Sequence, residues 1–355
     1  VLYALILAGG KGTRLYPLSR NDNPKQFLNI IDDKSFLRTT VDRILPIVPK
    51  ENIYVVTNKN YYEQICNEIP EINKENIILE PNNKETATCI GFSAIKLLKK
   101  DNDATMIVLP SDHYIANEKI FIETIEEAVT IAKRKRGLVT LGITPDRPDT
   151  GYGYIEMGDM VNSKVNSYKV SRFLEKPNSE VAKDLILKET YLWNSGMFIW
   201  RADIFLREME KYLPEMYERL MTIYKSLGTS EEENVINEQY NLIKGISVDF
   251  GIMQKTRKAY VIKSNFIWDD IGSYTALSRF IENFRGNNVK GNVFMEECED
   301  CSVFSKDKLI IGFGINNLVI VDTDDVILVM DKTKDQDVKH LVNILKDKEE
   351  YDKYI

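Results

Sequence analysis

A chain of 355 residues with 43% hydrophobic content can bury a full core, and its length predicts one large domain followed by a smaller one. The net charge of −7 comes from interspersed acids and bases, which leaves no footprint for a nucleic acid or a membrane surface. No apolar run reaches the length of a membrane span, and four cysteines are too few for a disulfide framework.

The chain starts at Val1, so an initiator methionine is removed or lies outside this numbering. The first apolar run has no basic leader or cleavage site before it enters a glycine turn, so a cytoplasmic protein is expected. That run, predicted as a strand over 4–7, leads into Ala8-Gly9-Gly10-Lys11-Gly12-Thr13-Arg14-Leu15. Glycines at 9, 10 and 12 can take positive φ and leave N–H groups unshielded. The turn can therefore nest an anion, with Lys11 and Arg14 adding charge, and a nucleoside triphosphate is the expected ligand. The pattern is not a P-loop, and it lacks the third glycine of the dinucleotide fingerprint, because Leu15 stands there and Pro17 follows.

Further along, strand-like runs at 53–56, 77–79, 105–109 and 138–143 alternate with helical spacing at 35–45, 86–100 and 120–134. Alternation of this kind predicts a Rossmann-like, mostly parallel mixed sheet flanked by helices, with ligands beyond the carboxyl ends of the strands. The basic stretch 133–136 reads as a solvated helix end. From 150 onward come inserted strands and longer helices, including one over 204–227. A Gly/Asn-rich linker at 283–288 precedes short strands and a terminal helix with Val338, Leu341, Val342 and Leu345 on one face. The expected domains are 1–284 and a small β-rich module over 285–355. Cys298 and Cys301 are read as part of a β-rich turn, since no second metal-binding pair accompanies them.

Two carboxylates are candidates to share one nucleotide-bound Mg²⁺. Asp112 follows a predicted strand in Leu109-Pro110-Ser111-Asp112-His113, and Asp270 lies in Ile267-Trp268-Asp269-Asp270-Ile271-Gly272. Magnesium is usually held by one or two carboxylates plus phosphate oxygens and water. His113 is expected to be structural, since attack by a phosphate oxygen needs no proton removed.

The glycine turn continues into Pro17-Leu18-Ser19-Arg20 and Pro24-Lys25-Gln26-Phe27, and the whole resembles the sugar-1-phosphate nucleotidyltransferases, most closely their mannose-1-phosphate guanylyltransferase branch. The resemblance implies transfer of GMP from GTP to α-D-mannose 1-phosphate, giving GDP-mannose and pyrophosphate with Mg²⁺. It also implies a β-helix-like C-terminal module used in subunit contacts, and a homodimer. By resemblance Arg14 and Lys25 hold the triphosphate and Asp112 and Asp270 the metal. Ala8, Gly9, Gly10, Gly12, Thr13, Glu80, Pro81, Glu85, Thr86 and Ser111 line the nucleotide.

Four later segments fit a sugar phosphate: Thr150-Gly151-Tyr152-Gly153, Phe173-Leu174-Glu175-Lys176-Pro177, Trp193-Asn194-Ser195-Gly196 and Ser247-Val248-Asp249-Phe250. In the family, Glu175 accepts from sugar hydroxyls and Lys176 pairs with the sugar phosphate. Gly151, Tyr152, Asn194, Ser195, Gly196 and Asp249 line the pocket. Trp193 and Trp268 are read as core more readily than as stacking platforms. The chain departs from the family after Glu80-Pro81, where Lys84-Glu85 replaces an Arg-Asn pair, and at Gln254, where relatives often carry Glu. Glu85 either accepts from guanine N1–H and N2–H or caps the helix beginning near Thr86. Another sugar 1-phosphate, heptose or glucose, and a non-catalytic nucleotide-sugar-binding regulator are the alternative functions.

Overall fold

The computed structural model describes residues 1–355. Its first half carries β1 (Leu2–Leu7), β2 (Ile53–Asn58), β3 (Ile77–Glu80), β4 (Thr105–Pro110), β5 (Tyr114–Ala116) and β6 (Leu138–Ile143). Between these strands lie α1 (Phe36–Ile44), α2 (Tyr62–Glu68), α3 (Glu85–Lys100) and α4 (Glu118–Lys135). The insertions supply β7 (Tyr154–Asn162), β8 (Ser167–Leu174), α5 (Ser179–Ile186) and β9 (Tyr191–Arg201). Then follow α6 (Ala202–Tyr212), α7 (Pro214–Ser226), α8 (Glu232–Leu242), β10 (Ala259–Ser264) and β11 (Ile267–Asp269). The chain separates into two compact units.

The first unit, Val1–Gly9, Thr40–Ser111 and Ile115–Trp268, is built on a nine-stranded sheet in the order β3-β2-β1-β4-β9-β6-β10-β8-β7. Strands β3, β2, β1 and β4 are mutually parallel, as expected from the β/α alternation. Strand β9 then enters antiparallel between β4 and β6, and β10 lies parallel to β6. This is the expected α/β class. Tyr3, Ala4, Leu5 and Ile6 of β1 are all buried, as a strand covered on both faces requires. In α4, buried Phe121, Ile125, Ala128, Ile131 and Ala132 recur at three- and four-residue spacing, so one stripe of the helix faces the core. The helix expected over 204–227 is two helices, because Pro214 cannot supply the N–H that a continuous helix needs; it opens α7 instead.

Register fixes where ligand-binding loops emerge. Leu7 of β1 stands opposite Pro110 of β4, and Ser111 N–H donates to Leu7 O at 3.1 Å. Ala8-Gly9 and Ser111 therefore leave the sheet at the same carboxyl edge, where open α/β sheets bind ligands.

The second unit comprises Gly10–Thr39, Asp112–Tyr114 and Asp269–Ile355. It holds α9 (Tyr274–Ser278), β12 (Glu282–Phe284), β13 (Asn287–Lys290), β14 (Val293–Glu296), β15 (Ser302–Phe304) and β16 (Ile310–Phe313). These lead into β17 (Leu318–Asp322), β18 (Ile327–Asp331) and α10 (Val338–Lys346). Strands β13, β15 and β17 stack in parallel, and β14 stacks on β16, so successive turns of chain coil over one another in a β-helix-like manner. Compactness groups residues differently from a linear division at 284/285. Leu15, Leu28 and Ile30 of the N-terminal segment share one apolar core with Ile271, Tyr274, Phe304, Val319 and Val321, and burying these side chains together draws the glycine-loop segment into the C-terminal unit. No helix is long and apolar enough to cross a membrane.

Candidate active site

In the second unit, Gly12 adopts φ +61°, a left-handed conformation that starts a short 3₁₀ turn over Thr13–Leu15. A Cβ at Gly12 would lie 2.4 Å from Lys25 Cβ, so glycine is needed both for the turn and for the close passage of the lysine stem. Lys25 is almost wholly buried, with its ammonium 5.5 Å from the Phe36 ring centroid. Its Nζ donates to Asp112 Oδ2 at 2.9 Å and to the backbone carbonyl of Asp270.

Gly12, Thr13, Arg14, Lys25, Asp112, His113, Asp270, Gly272 and Lys339 line one cavity of about 290 Å³. The four residues expected to do the chemistry thus share a wall. Burial alone would raise the Asp112 carboxyl, but the charges of Lys25 and His113 and the Lys25 hydrogen bond outweigh it and hold the group below its ordinary value. Arg14 Nη1 donates to Gln336 Oε1 at 3.2 Å.

The turn carrying Asp270 is strained. Ile271 is fully buried at φ +45°, a region a β-branched residue rarely occupies, and it is pinned there by its N–H donating to Asp269 Oδ1 at 2.8 Å. Gly272 N–H donates to Asp270 Oδ1 at 3.0 Å. The adjacent aspartates therefore face different surroundings. Asp269 is buried against Arg279, and Asp270 lines the cavity. No group of three or more His, Cys, Asp or Glu is arranged to hold a metal. Asp112 and Asp270 both line the cavity, as two carboxylates. Cys298 and Cys301 are free thiols near backbone carbonyls of the β-coil.

In the first unit, Thr57 Oγ1 donates to Ala8 O at 3.0 Å, and a Cβ on Gly9 would lie 3.8 Å from Glu80 Oε2. Glu80 ends β3 ahead of Pro81 and accepts from the Tyr240 hydroxyl. Burial pushes its carboxyl up to about 7 against the opposing hydrogen bonds from Tyr240 and Cys89. Sequence reasoning missed Tyr240, which comes from α8, 160 residues away.

Glu85 is exposed and is the first residue of α3, with φ +65° and its N–H donating to Asn83 Oδ1. Lys84 holds the N-cap position without a side-chain cap bond, so Glu85 does not cap the helix. Thr86 Oγ1 accepts from Val248 N–H at 2.9 Å, and Ser111 is buried.

The sugar-side segments converge within this unit. Asn194 Nδ2 donates to Asp249 Oδ1 at 2.9 Å, while Asn194 Oδ1 accepts from Thr140 Oγ1 and from Gly196 N–H. Asn194 N–H in turn donates to Gly153 O. Gly151 N–H donates to Asp149 Oδ1, and Ser195 Oγ accepts from Met197 N–H. Tyr152 packs edge-on to Trp193 and tilted against Trp268, with ring centroids 5.0 Å apart in each pair, so both tryptophans are core.

Glu175 Oε1 faces Lys176 Nζ at 3.4 Å, but its buried Oε2 has no hydrogen-bond partner in the protein. Such an orphaned acceptor is costly unless a ligand satisfies it. Burial raises Glu175, only partly offset by Lys176. Asp249, opening a π-helical turn over Asp249–Met253, is pushed to about 7 by burial and by the Glu175 charge.

Residues 3–285 match the nucleotidyl transferase family, and residues 291–345 match a MannoseP isomerase/GMP-like β-helix domain. Mannose-1-phosphate guanylyltransferases of Salmonella muenchen and Escherichia coli are each 36% identical over 351 residues, covering 97% and 98% of this chain and 73% and 74% of their own. A crystal structure from Thermus thermophilus, described as mannose-1-phosphate geranyltransferase, has a TM-score of 0.87 at 30% identity, covering 97% of this chain and 99% of its own. The resemblance read from the glycine turn is thereby confirmed: the chain belongs to the nucleotidyl transferase family and is a sugar-1-phosphate nucleotidyltransferase.

Proposed function

We propose that the chain transfers GMP from GTP to α-D-mannose 1-phosphate in the cytoplasm, as a homodimer, giving GDP-mannose and pyrophosphate. The carrying observation is the convergence of Arg14, Lys25, Asp112 and Asp270 on one cavity. The guanylyltransferase names of the relatives favour the base and the sugar.

In the reaction a phosphate oxygen of the sugar 1-phosphate attacks the α-phosphorus of GTP in line. The new P–O bond forms as the α–β bridge breaks, and pyrophosphate leaves with the electron pair. The protein's share is positioning and charge neutralisation. Arg14 and Lys25 stabilise the leaving pyrophosphate, with the N–H groups of Gly9, Gly10, Gly12 and Thr13 around the phosphates. Asp112 and Asp270 would hold Mg²⁺, which when bound neutralises phosphate charge.

Lys176 holds the sugar phosphate. The orphaned Glu175 Oε2 accepts from a sugar hydroxyl, with Asn194 and Asp249 beside it. Glu80 and Glu85 serve the guanine edge as hydrogen-bond acceptors.

Pyrophosphate release with Mg²⁺ across GTP, ATP, UTP and dTTP, each paired with mannose, glucose and heptose 1-phosphates, tests the reading. A maximum for GTP with mannose 1-phosphate is expected. A maximum elsewhere replaces the substrates but keeps the chemistry, and no release with any pair makes the chain a binding protein.

A further inference from the structure

We infer that the C-terminal helix supplies a third phosphate-binding cation, Lys339, which grips the pyrophosphate portion of the nucleotide while Gln336 positions Arg14. The inference rests on the nucleotidyl-transfer reading for its ligand.

Lys339 lines the cavity that holds Arg14, Lys25, Asp112 and Asp270. Without it, the lysine and arginine of the wall, Lys25 and Arg14, are matched one for one by the carboxylates of Asp112 and Asp270. Lys339 tips the balance toward a polyanion. Its neighbours in sequence are engaged, Lys332 with Asp300 and Lys334 with Asp337, whereas Lys339 is exposed and makes no ion pair or hydrogen bond. It also sits in the first turn of α10, where the helix dipole disfavours a cation. A free ammonium held at the wrong end of a helix, facing a cavity, is what a phosphate ligand would compensate.

The segment bearing Lys339 is anchored to the cavity at several points. Both carboxylate oxygens of buried Asp335 accept from the N–H groups of Tyr274 and Thr275, each at 2.9 Å, just beyond the Asp270-Ile271-Gly272 turn. The Tyr274 hydroxyl donates to the carbonyls of Leu15 and Tyr16, next to Arg14. Val338 and Val342 pack on Tyr16. Gln336 accepts from Arg14 with a neutral amide, so the guanidinium is oriented and its charge is left for the ligand.

Calorimetric binding of inorganic pyrophosphate with Mg²⁺ to the full chain is the test, run on wild type, Lys339→Gln and Lys339→Arg alongside steady-state kinetics. Lys339→Gln is expected to weaken pyrophosphate binding and raise KM for the nucleotide, each by about tenfold, with KM for the sugar phosphate within about twofold. Lys339→Arg keeps most of the affinity. Equal pyrophosphate affinity in wild type and Lys339→Gln, or no binding by wild type, overturns the inference. Active wild type with an indifferent Lys339→Gln leaves the transfer reading standing without the grip. A Lys339-dependent pyrophosphate site in a chain silent with every substrate pair does the reverse.

Discussion

Lys25 Nζ stands 2.9 Å from Asp112 Oδ2, the lysine side chain 5% exposed and the aspartate 32%. Neither partner is near the other in sequence, and the pair places a cation and a metal-ligand type on one wall. Lys25→Ala is expected to lower kcat/KM by about two to three orders of magnitude, the range for removing one preorganised electrostatic stabiliser from a transition state. Lys25→Arg should not restore it, because the lysine stem passes against Gly12 and a planar guanidinium does not fit that path. Steady-state kinetics of both variants, with melting curves to confirm folding, decide the point.

The glycine loop offers an internal control. Gly12→Ala places a Cβ at φ +61° and 2.4 Å from Lys25 Cβ, whereas a Cβ on Gly10 meets nothing within 4 Å. Gly12→Ala should cost about 2–4 kcal/mol of stability and Gly10→Ala under about 1, measured by urea denaturation. Similar costs at both positions would reject the steric account.

Adjacent Asp269 and Asp270 should fail differently. Asp270→Ala is expected to abolish Mg²⁺-dependent turnover with the melting temperature nearly unchanged, since the side chain lines a cavity. Asp269→Ala removes the buried partner of Arg279 and of Ile271 N–H, so it should cost about 2–3 kcal/mol of stability, less than a fully buried pair because Arg279 is a third exposed. An Asp270→Ala enzyme of wild-type activity in Mg²⁺ defeats the metal assignment.

Glu80 predicts a pH dependence of stability. Its folded carboxyl titrates near 7, above the ordinary 4.5, so between these values the folded state binds more protons than the unfolded. That contribution is fully present below pH 4.5 and lost as pH rises through about 7, with a magnitude on the order of 3 kcal/mol at most. Asp249, also near 7, adds a slope of the same sign. Denaturation of wild type and Glu80→Gln at pH 5 and pH 8 should show the smaller difference in the variant; identical differences would mean that Glu80 is not held protonated.

A Cβ at Gly153 would fall 2.5 Å from Glu175 Oε2, the acceptor without a partner in the protein. Gly153→Ala should raise KM for the sugar phosphate by about tenfold or more while KM for the nucleotide stays within about twofold. An unchanged sugar-phosphate KM would remove Glu175 from the sugar pocket.

Local sequence determined much of this protein. The β/α alternation fixed the parallel half of the sheet, because periodicity and turn residues act within a few positions of one another. The glycine turn was legible because positive φ and close backbone approach at Gly12 demand a particular residue type in a short run. Tertiary structure alone decided what distant segments do together. It inserted β9 between β4 and β6, and it drew the glycine-loop segment into one core with Phe304 and Val319. It set Tyr240 on Glu80, forced Ile271 to φ +45°, and brought Gln336 to Arg14 and Lys339 to the cavity. These relationships depend on burial and on hydrogen bonds between residues far apart in the chain, and no local pattern of residue types encodes them.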